Sequence, residues 1–154
     1  MKNRLIVGMS NLWIYLWYAR VVIRHVVTCR EIPNVAYPKT VNDKFLWRKV
    51  FDLNPAFIGL SDKLLCKQVA KQKCPDILLP KVLWVGDDAA DIPEEFLQGD
   101  VMVKATHGSG FNFPIFNGKY DRDELLAATG DWLGTRYGWR HWEWGYFGVR
   151  PQLY

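Results

Sequence analysis

Cysteine is scarce: three in 154 residues, and Cys29, Cys66 and Cys74 form no C-x-x-C pair. An odd number without paired spacing argues against a disulfide framework and against a zinc site, and predicts three reduced, mostly buried thiols in a reducing compartment. Excess charge is also small, with 20 basic against 16 acidic residues and a net charge of +4. No stretch holds a dense Lys/Arg block, so no nucleic-acid partner is expected, while a sequence pI near 9.0 permits an anionic ligand or surface. The 12 glycines and 8 prolines follow no period, which excludes collagen-like and repeat architectures. The uncharged run over residues 5–19 falls short of the ~20 residues a spanning helix needs. Tyr18-Ala19-Arg20 is a poor signal-peptide cleavage site.

Apolar and aromatic residues are plentiful. A hydrophobic fraction of 49% and eight tryptophans exclude disorder as the main state. The length fits one domain, or a domain with a helical extension. The pattern divides the chain into an N-terminal aromatic helix (residues 1–33), a helical lead-in (34–76) and an α+β subdomain (77–154).

Residues 12–28 read as one helix, on which Arg20, Arg24 and Thr28 make a narrow polar stripe at i, i+4, i+8. That helix either packs on the rest of the fold or on another subunit, or lies in a membrane interface with Trp13 and Trp17 at headgroup depth. After the connector between Pro33 and Pro38, Thr40 and Asp43 form a capping-box pattern for a second helix ending at Asn54-Pro55. Ser61 is the expected N-cap of a third, with Asp62 complementing its dipole, ending near Cys74-Pro75. Strands are expected over residues 78–85 and 101–106, with a short helical turn over 92–96 between them. Asn117-Gly118 is a hairpin signal, and Asp121 caps a helix running to about Leu133. Asp121, Asp123, Glu124 and Asp131 read as helix caps and solvated charges rather than metal ligands. The aromatic segment over 139–144 suits either sugar stacking or packing, and residues 147–154 begin another strand. Arg140, His141 and Glu143 read as a solvated polar edge.

The chemistry concentrates after the second strand. Alternation puts Val101 and Val103 on one face, Met102 and Lys104 on the other. A lysine in an apolar strand is costly unless its ammonium reaches water or an anion. The loop His107-Gly108-Ser109-Gly110-Phe111-Asn112 follows. Gly108 and Gly110 can take positive φ, which lets N–H groups converge on an anion, and Ser109 adds a hydroxyl. His107 adds a donor when protonated, or caps the strand end. This is not a Walker A loop, because no Gly-Lys-Ser/Thr follows, nor a dinucleotide fingerprint, because Phe113 stands in place of the third glycine. Strand, loop and return strand make a flap with Lys104 beneath it. Lys63, in the first turn of the third helix, is either a solvated lysine or a second phosphate contact.

At these residues the chain resembles the TupA-like ATP-grasp family of polysaccharide and teichuronopeptide biosynthesis. The matching stretches are residues 34–44, with its Pro-Lys-Thr-Val-Asn-Asp-Lys run; 47–55; Leu60-Ser61-Asp62-Lys63; 79–86; and 101–112, with Val-Lys-Ala-Thr-His-Gly-Ser-Gly-Phe-Asn. The resemblance extends from about Asn34 to the C-terminus. It implies an ATP site in which Lys63 and Lys104 contact phosphates and the loop 107–112, with His107, Gly108, Ser109 and Gly110, closes over them. It further implies a carboxylate–amine or carboxylate–thiol ligase acting through an acyl-phosphate with Mg²⁺. A loose, negatively charged transition state of that kind requires placed cations and N–H donors. The family's adenine-holding acidic strand and its Mg²⁺ carboxylates and asparagine would lie beyond Tyr154, so the subdomain reads as incomplete at its C-terminus.

Three function classes follow. The first is the ATP-binding portion of a cytoplasmic ligase of bacterial cell-surface polymer synthesis, inactive as this chain alone, with an unassigned carboxylate or saccharide-linked substrate. The second is a non-catalytic module binding nucleotide or a partner subunit. The third is a protein peripheral to the inner membrane face, held there by its N-terminal helix.

Overall fold

The computed structural model describes residues 2–154; the side chains of Lys2, Arg140 and His141, two of which belong to the polar edge expected above, lie outside the described residues. The chain is α+β and divides into two compact units, the first ending at Asn54 and the second starting at Pro55.

The first unit is helical. Helix α1 covers Lys2–Trp17, α2 covers Ala19–Cys29 and α3 covers Val41–Phe51. The single helix expected over 12–28 is therefore two helices, bent by 103° at Tyr18. Tyr18 closes α1 through its N–H to the Ile14 carbonyl, and its own carbonyl accepts from Val21 and Val22 N–H to begin α2. No proline or glycine marks this site. The bend accompanies burial of Ile14, Val21 and Val22 together with Val35, Leu46 and Val50. Among the described residues no single helix is long and apolar enough to cross a membrane; α1 and α2 satisfy length and composition only as a bent pair.

The connector between α2 and α3 is fixed by side-chain hydrogen bonds to its backbone. Asn11 donates to Asn34 Oδ1 (2.9 Å) and accepts from Ala36 N–H (2.8 Å), while the Tyr15 hydroxyl donates to the Pro33 carbonyl. Thr40 and Asp43 form the expected capping box of α3. The Asp43 carboxylate does more: it accepts from Asn34 N–H (2.8 Å), Lys39 N–H (3.1 Å) and Thr40 N–H (3.0 Å). Burial alone would raise its pKa, but these donors outweigh burial and hold the carboxyl below its ordinary value. A depressed folded value contributes stability that is present above about pH 4 and lost as pH falls through it. Asp43→Ala is expected to cost about 2 kcal/mol in urea unfolding at pH 7, with the difference from wild type shrinking as pH falls below 4.

The second unit opens with a short helix that the sequence pattern did not signal, α4 (Ala56–Ser61), followed by α5 (Lys63–Lys73). Ser61 lies inside α4, so it cannot cap α5. The cap is Asp62, whose carboxylate accepts from Leu64 and Leu65 N–H at 2.8 and 3.1 Å. Strands β1 (Val101–Lys104) and β2 (Asn112–Ile115) pair antiparallel, with Val101 opposite Ile115 and Lys104 opposite Asn112. Asn117 (φ 52°) and Gly118 (φ 66°) make the expected hairpin turn after β2. Two short 3₁₀ turns, Ala89–Asp91 and Glu94–Leu97, stand where a helical turn was expected. Helix α6 covers Arg122–Gly134 with Asp121 as cap, as read. The expected strand over 78–85 is not one: the segment has no regular structure, and only Gly86, just after it, bridges a neighbour, Leu153. The chain's last residues sit on the other side of β1, with Lys104 and Tyr154 exchanging both backbone bonds at 2.9 Å. Ala89, Ile92, Leu97, Val103, Ala105, Ile115, Leu125 and Leu153 form the core between these elements. The aromatic segment forms α7 (Tyr137–His141) and a 3₁₀ turn (Trp144–Tyr146), where Trp139 stacks on Phe147 (4.7 Å, 5°), an arrangement of packing. The thiols are free but not buried as expected: Cys74 is exposed, and Cys29 and Cys66 are partly so.

Candidate functional site

The glycine loop joins β1 to β2, so the strand alternation decides what lies beneath it. Val103 is buried and Met102 exposed, as the period of two requires, and Lys104 shares the Met102 face. The loop's base is tied down from three directions. Buried Thr106 donates its hydroxyl to the Arg150 carbonyl (2.7 Å) and accepts from Gln152 N–H (3.1 Å). Buried His107 places Nε2 at 2.9 Å from the Trp132 carbonyl, with its ring 5.5 Å from that of Phe111. The Lys63 ammonium donates to the carbonyls of Ala105 and Gly108, one on each side of the loop's start.

The two glycines serve different needs. Gly110 adopts φ 82°, the left-handed region that lets successive N–H groups turn toward one point. Gly108 does not. Its requirement is space: a Cβ there would lie 2.5 Å from the Phe111 ring, which is stacked on Trp132 at 5.6 Å. Ser109 and Gly110 form the exposed tip. Of the residues singled out from the sequence, Lys104, Ser109 and Gly110 therefore face the open side. Lys63 and Gly108 hold the loop's shape, and the His107 imidazole is directed inward. Burial pushes the His107 pKa below its ordinary value, outweighing the bond to Trp132, with the Lys63 charge acting in the same direction as burial. The lowered value favours the neutral ring, and the imidazole anchors the loop from inside rather than donating on its open side.

Lys67 was not singled out, although it lies at i+4 from Lys63 on the same face of α5. Its ammonium sits 4.8 Å from the centroid of the Tyr154 ring. Lys67, Lys81, Leu83, Met102, Lys104 and Tyr154 line a cleft of about 590 Å³, within the range of small-molecule sites. Burial lowers the Lys63 pKa, the charge of Lys104 acts in the same direction and Asp62 opposes both, with a net value of about 8. Burial and Lys104 lower Lys67 in the same way. Two lysines whose charge is disfavoured by burial and by a nearby third cation mark a place where an anion is stabilised.

A phosphate group suits the lysines gathered at this cleft, and the exposed glycine turn lies on the loop that follows β1. Among the described residues no group of three or more His, Cys, Asp or Glu side chains could hold a metal ion, and Asp62 is committed to the α5 cap. Because an anion held by Lys104 would offset the charge that helps lower the Lys63 pKa, affinity for a phosphate ligand is expected to fall as pH rises through about 8. Calorimetry at pH 8 in two buffers of different ionisation heat should show proton uptake on binding.

No protein-family model matches the chain, and neither does any curated protein or any solved structure.

Proposed function

We propose that residues 55–154 bind the phosphate chain of ATP, as the nucleotide-binding portion of an ATP-grasp ligase of the carboxylate–amine type in bacterial cell-surface polysaccharide or teichuronopeptide biosynthesis. The observation that carries this is the meeting of Lys67 and Lys104 at one cleft, with Lys104 ending the strand that leads into a glycine loop whose base Lys63 holds. The resemblance of Leu60-Ser61-Asp62-Lys63 and of residues 101–112 to the TupA-like ATP-grasp family supports the choice of ATP among phosphate ligands. In this reading the cleft takes the nucleoside, Lys104 and Lys67 neutralise phosphate charge, and the Ser109-Gly110 turn supplies N–H and hydroxyl donors. Lys63 positions the loop. Among the described residues no group of three or more His, Cys, Asp or Glu side chains could hold a metal ion, so the reading assigns nucleotide binding to these residues and no ligation step. The cytoplasm, where ATP is abundant, is the location this reading requires.

The test is a calorimetric ladder of ATP, ADP, AMP and adenosine against the full chain. Affinity is expected to fall stepwise as phosphates are removed, because each removal loses charge-assisted contacts. Equal affinities for ATP and adenosine would refute phosphate recognition.

A further inference from the structure

Helix α1 carries no charged residue from Leu5 to its end at Trp17. A helix apolar on all sides is normally covered on all sides. Here only one side is, through Asn11, Ile14 and Tyr15 against the connector and the first unit's core. The other side presents Leu5, Ile6, Met9, Leu12, Trp13, Leu16 and Trp17, each between 56% and 71% exposed, at spacings of three and four that form one continuous row. Trp13 and Trp17 pack on each other at 5.8 Å within this row.

The charge of the chain is not evenly divided. Up to Asn54 there are nine basic residues against three acidic ones, and from Pro55 onward eleven against thirteen. All three acids in the first unit are already engaged: Asp43 by backbone N–H groups, Asp52 by Arg48 at 3.1 Å and Glu31 by the Asn42 amide at 3.2 Å. The exposed face of α2 adds Arg20 and Arg24 beside Ile23 and Val27. The unit that bears the apolar row is therefore strongly cationic. A second copy of the same unit would meet it with like charge, whereas an anionic phospholipid surface offers both a charged headgroup layer and an apolar layer below it. At ~1.5 Å per residue α1 is about 24 Å long, short of the ~30 Å hydrocarbon core, so it suits lying in the interface rather than crossing.

We propose that the first unit docks on anionic phospholipid membranes through the Leu5-to-Trp17 face of α1, with Trp13 and Trp17 at headgroup depth and the arginines of α2 toward the lipid phosphates. The proposal is independent of nucleotide binding by the second unit.

The experiment is flotation of the full chain with vesicles of phosphatidylcholine containing 30% phosphatidylserine, with phosphatidylcholine vesicles alone, and with no vesicles, alongside light scattering of the free protein. The chain is expected to float with the anionic vesicles at least tenfold more than with the neutral ones, and less at 0.5 M salt. Leu12→Glu/Leu16→Glu, at exposed positions, is expected to abolish flotation while leaving the helical circular dichroism and urea midpoint unchanged. Arg20→Glu, outside the apolar row, is expected to weaken it. Failure to float with anionic vesicles would overturn the proposal, as would undiminished flotation of the folded double variant. So would a dimer in solution that the double variant dissociates, since the face would then be covered by a second copy.

Discussion

Lys104→Ala is expected to weaken ATP binding by at least tenfold, whereas Lys119→Ala, at the exposed bridge residue just after the hairpin turn, should leave it unchanged. A charge-assisted contact contributes about 1.5–3 kcal/mol, which corresponds to roughly tenfold to 150-fold in the dissociation constant. Lys104 is the lysine with the least structural work to do. Its backbone is held by β2 on one side and by Tyr154 on the other, and those bonds survive the loss of the side chain. The substitution should therefore leave the urea midpoint unchanged and act on affinity alone. Lys67→Ala should act in the same direction but less, because its ammonium is shared with the Tyr154 ring. Calorimetric titrations of the three variants decide the order. Equal affinity for wild type and Lys104→Ala would remove the loop from the site.

Gly108→Ala is expected to lower the stability of the second unit by about 1–3 kcal/mol and to abolish ATP binding. The added methyl would stand 2.5 Å from the Phe111 ring and 3.0 Å from that of Tyr137. Phe111 cannot turn aside cheaply, because it is stacked on Trp132 and meets Tyr137 edge-on at 5.7 Å. Gly110→Ala has open space around it but a left-handed backbone, so it should cost only about 1 kcal/mol. A urea midpoint for Gly108→Ala equal to that of wild type would show that the loop packs differently from this account. Lys63→Met separates shape from charge: it removes the donor to the Ala105 and Gly108 carbonyls and should lower both loop order and affinity.

Local signals in the sequence were readable where one residue's chemistry settles the backbone. Thr40 with Asp43, Asp121 at the start of α6 and Asn117-Gly118 in the hairpin all act within three or four residues of themselves. So does the alternation that puts Lys104 beside Met102. What depends on distant partners was not readable. The bend at Tyr18 has no breaking residue, and it follows from burying Val21 and Val22 in a core assembled from three helices. Asp62 displaced Ser61 as the α5 cap because the preceding residues coil into a helix of their own. Residues 78–85 have strand composition, but a strand also needs a ladder, and only Gly86 finds one. At the candidate site, the lysine–glycine pattern picked out the loop that joins β1 to β2 without dividing its labour. Nothing local distinguishes Gly108, which needs room, from Gly110, which needs its dihedral. His107 turns inward to a carbonyl twenty-five residues away. Lys67 was legible in principle, from its i+4 spacing to Lys63 on a helix face already identified.

The most direct test of the phosphate site is side-chain ¹⁵N NMR of lysine-labelled protein, with each ammonium signal assigned by substitution and followed during addition of ATP. The account predicts that the Lys104 and Lys67 signals shift together and saturate at one affinity while Lys119 stays in place. Saturation with ATP that leaves Lys104 and Lys67 unmoved would contradict it.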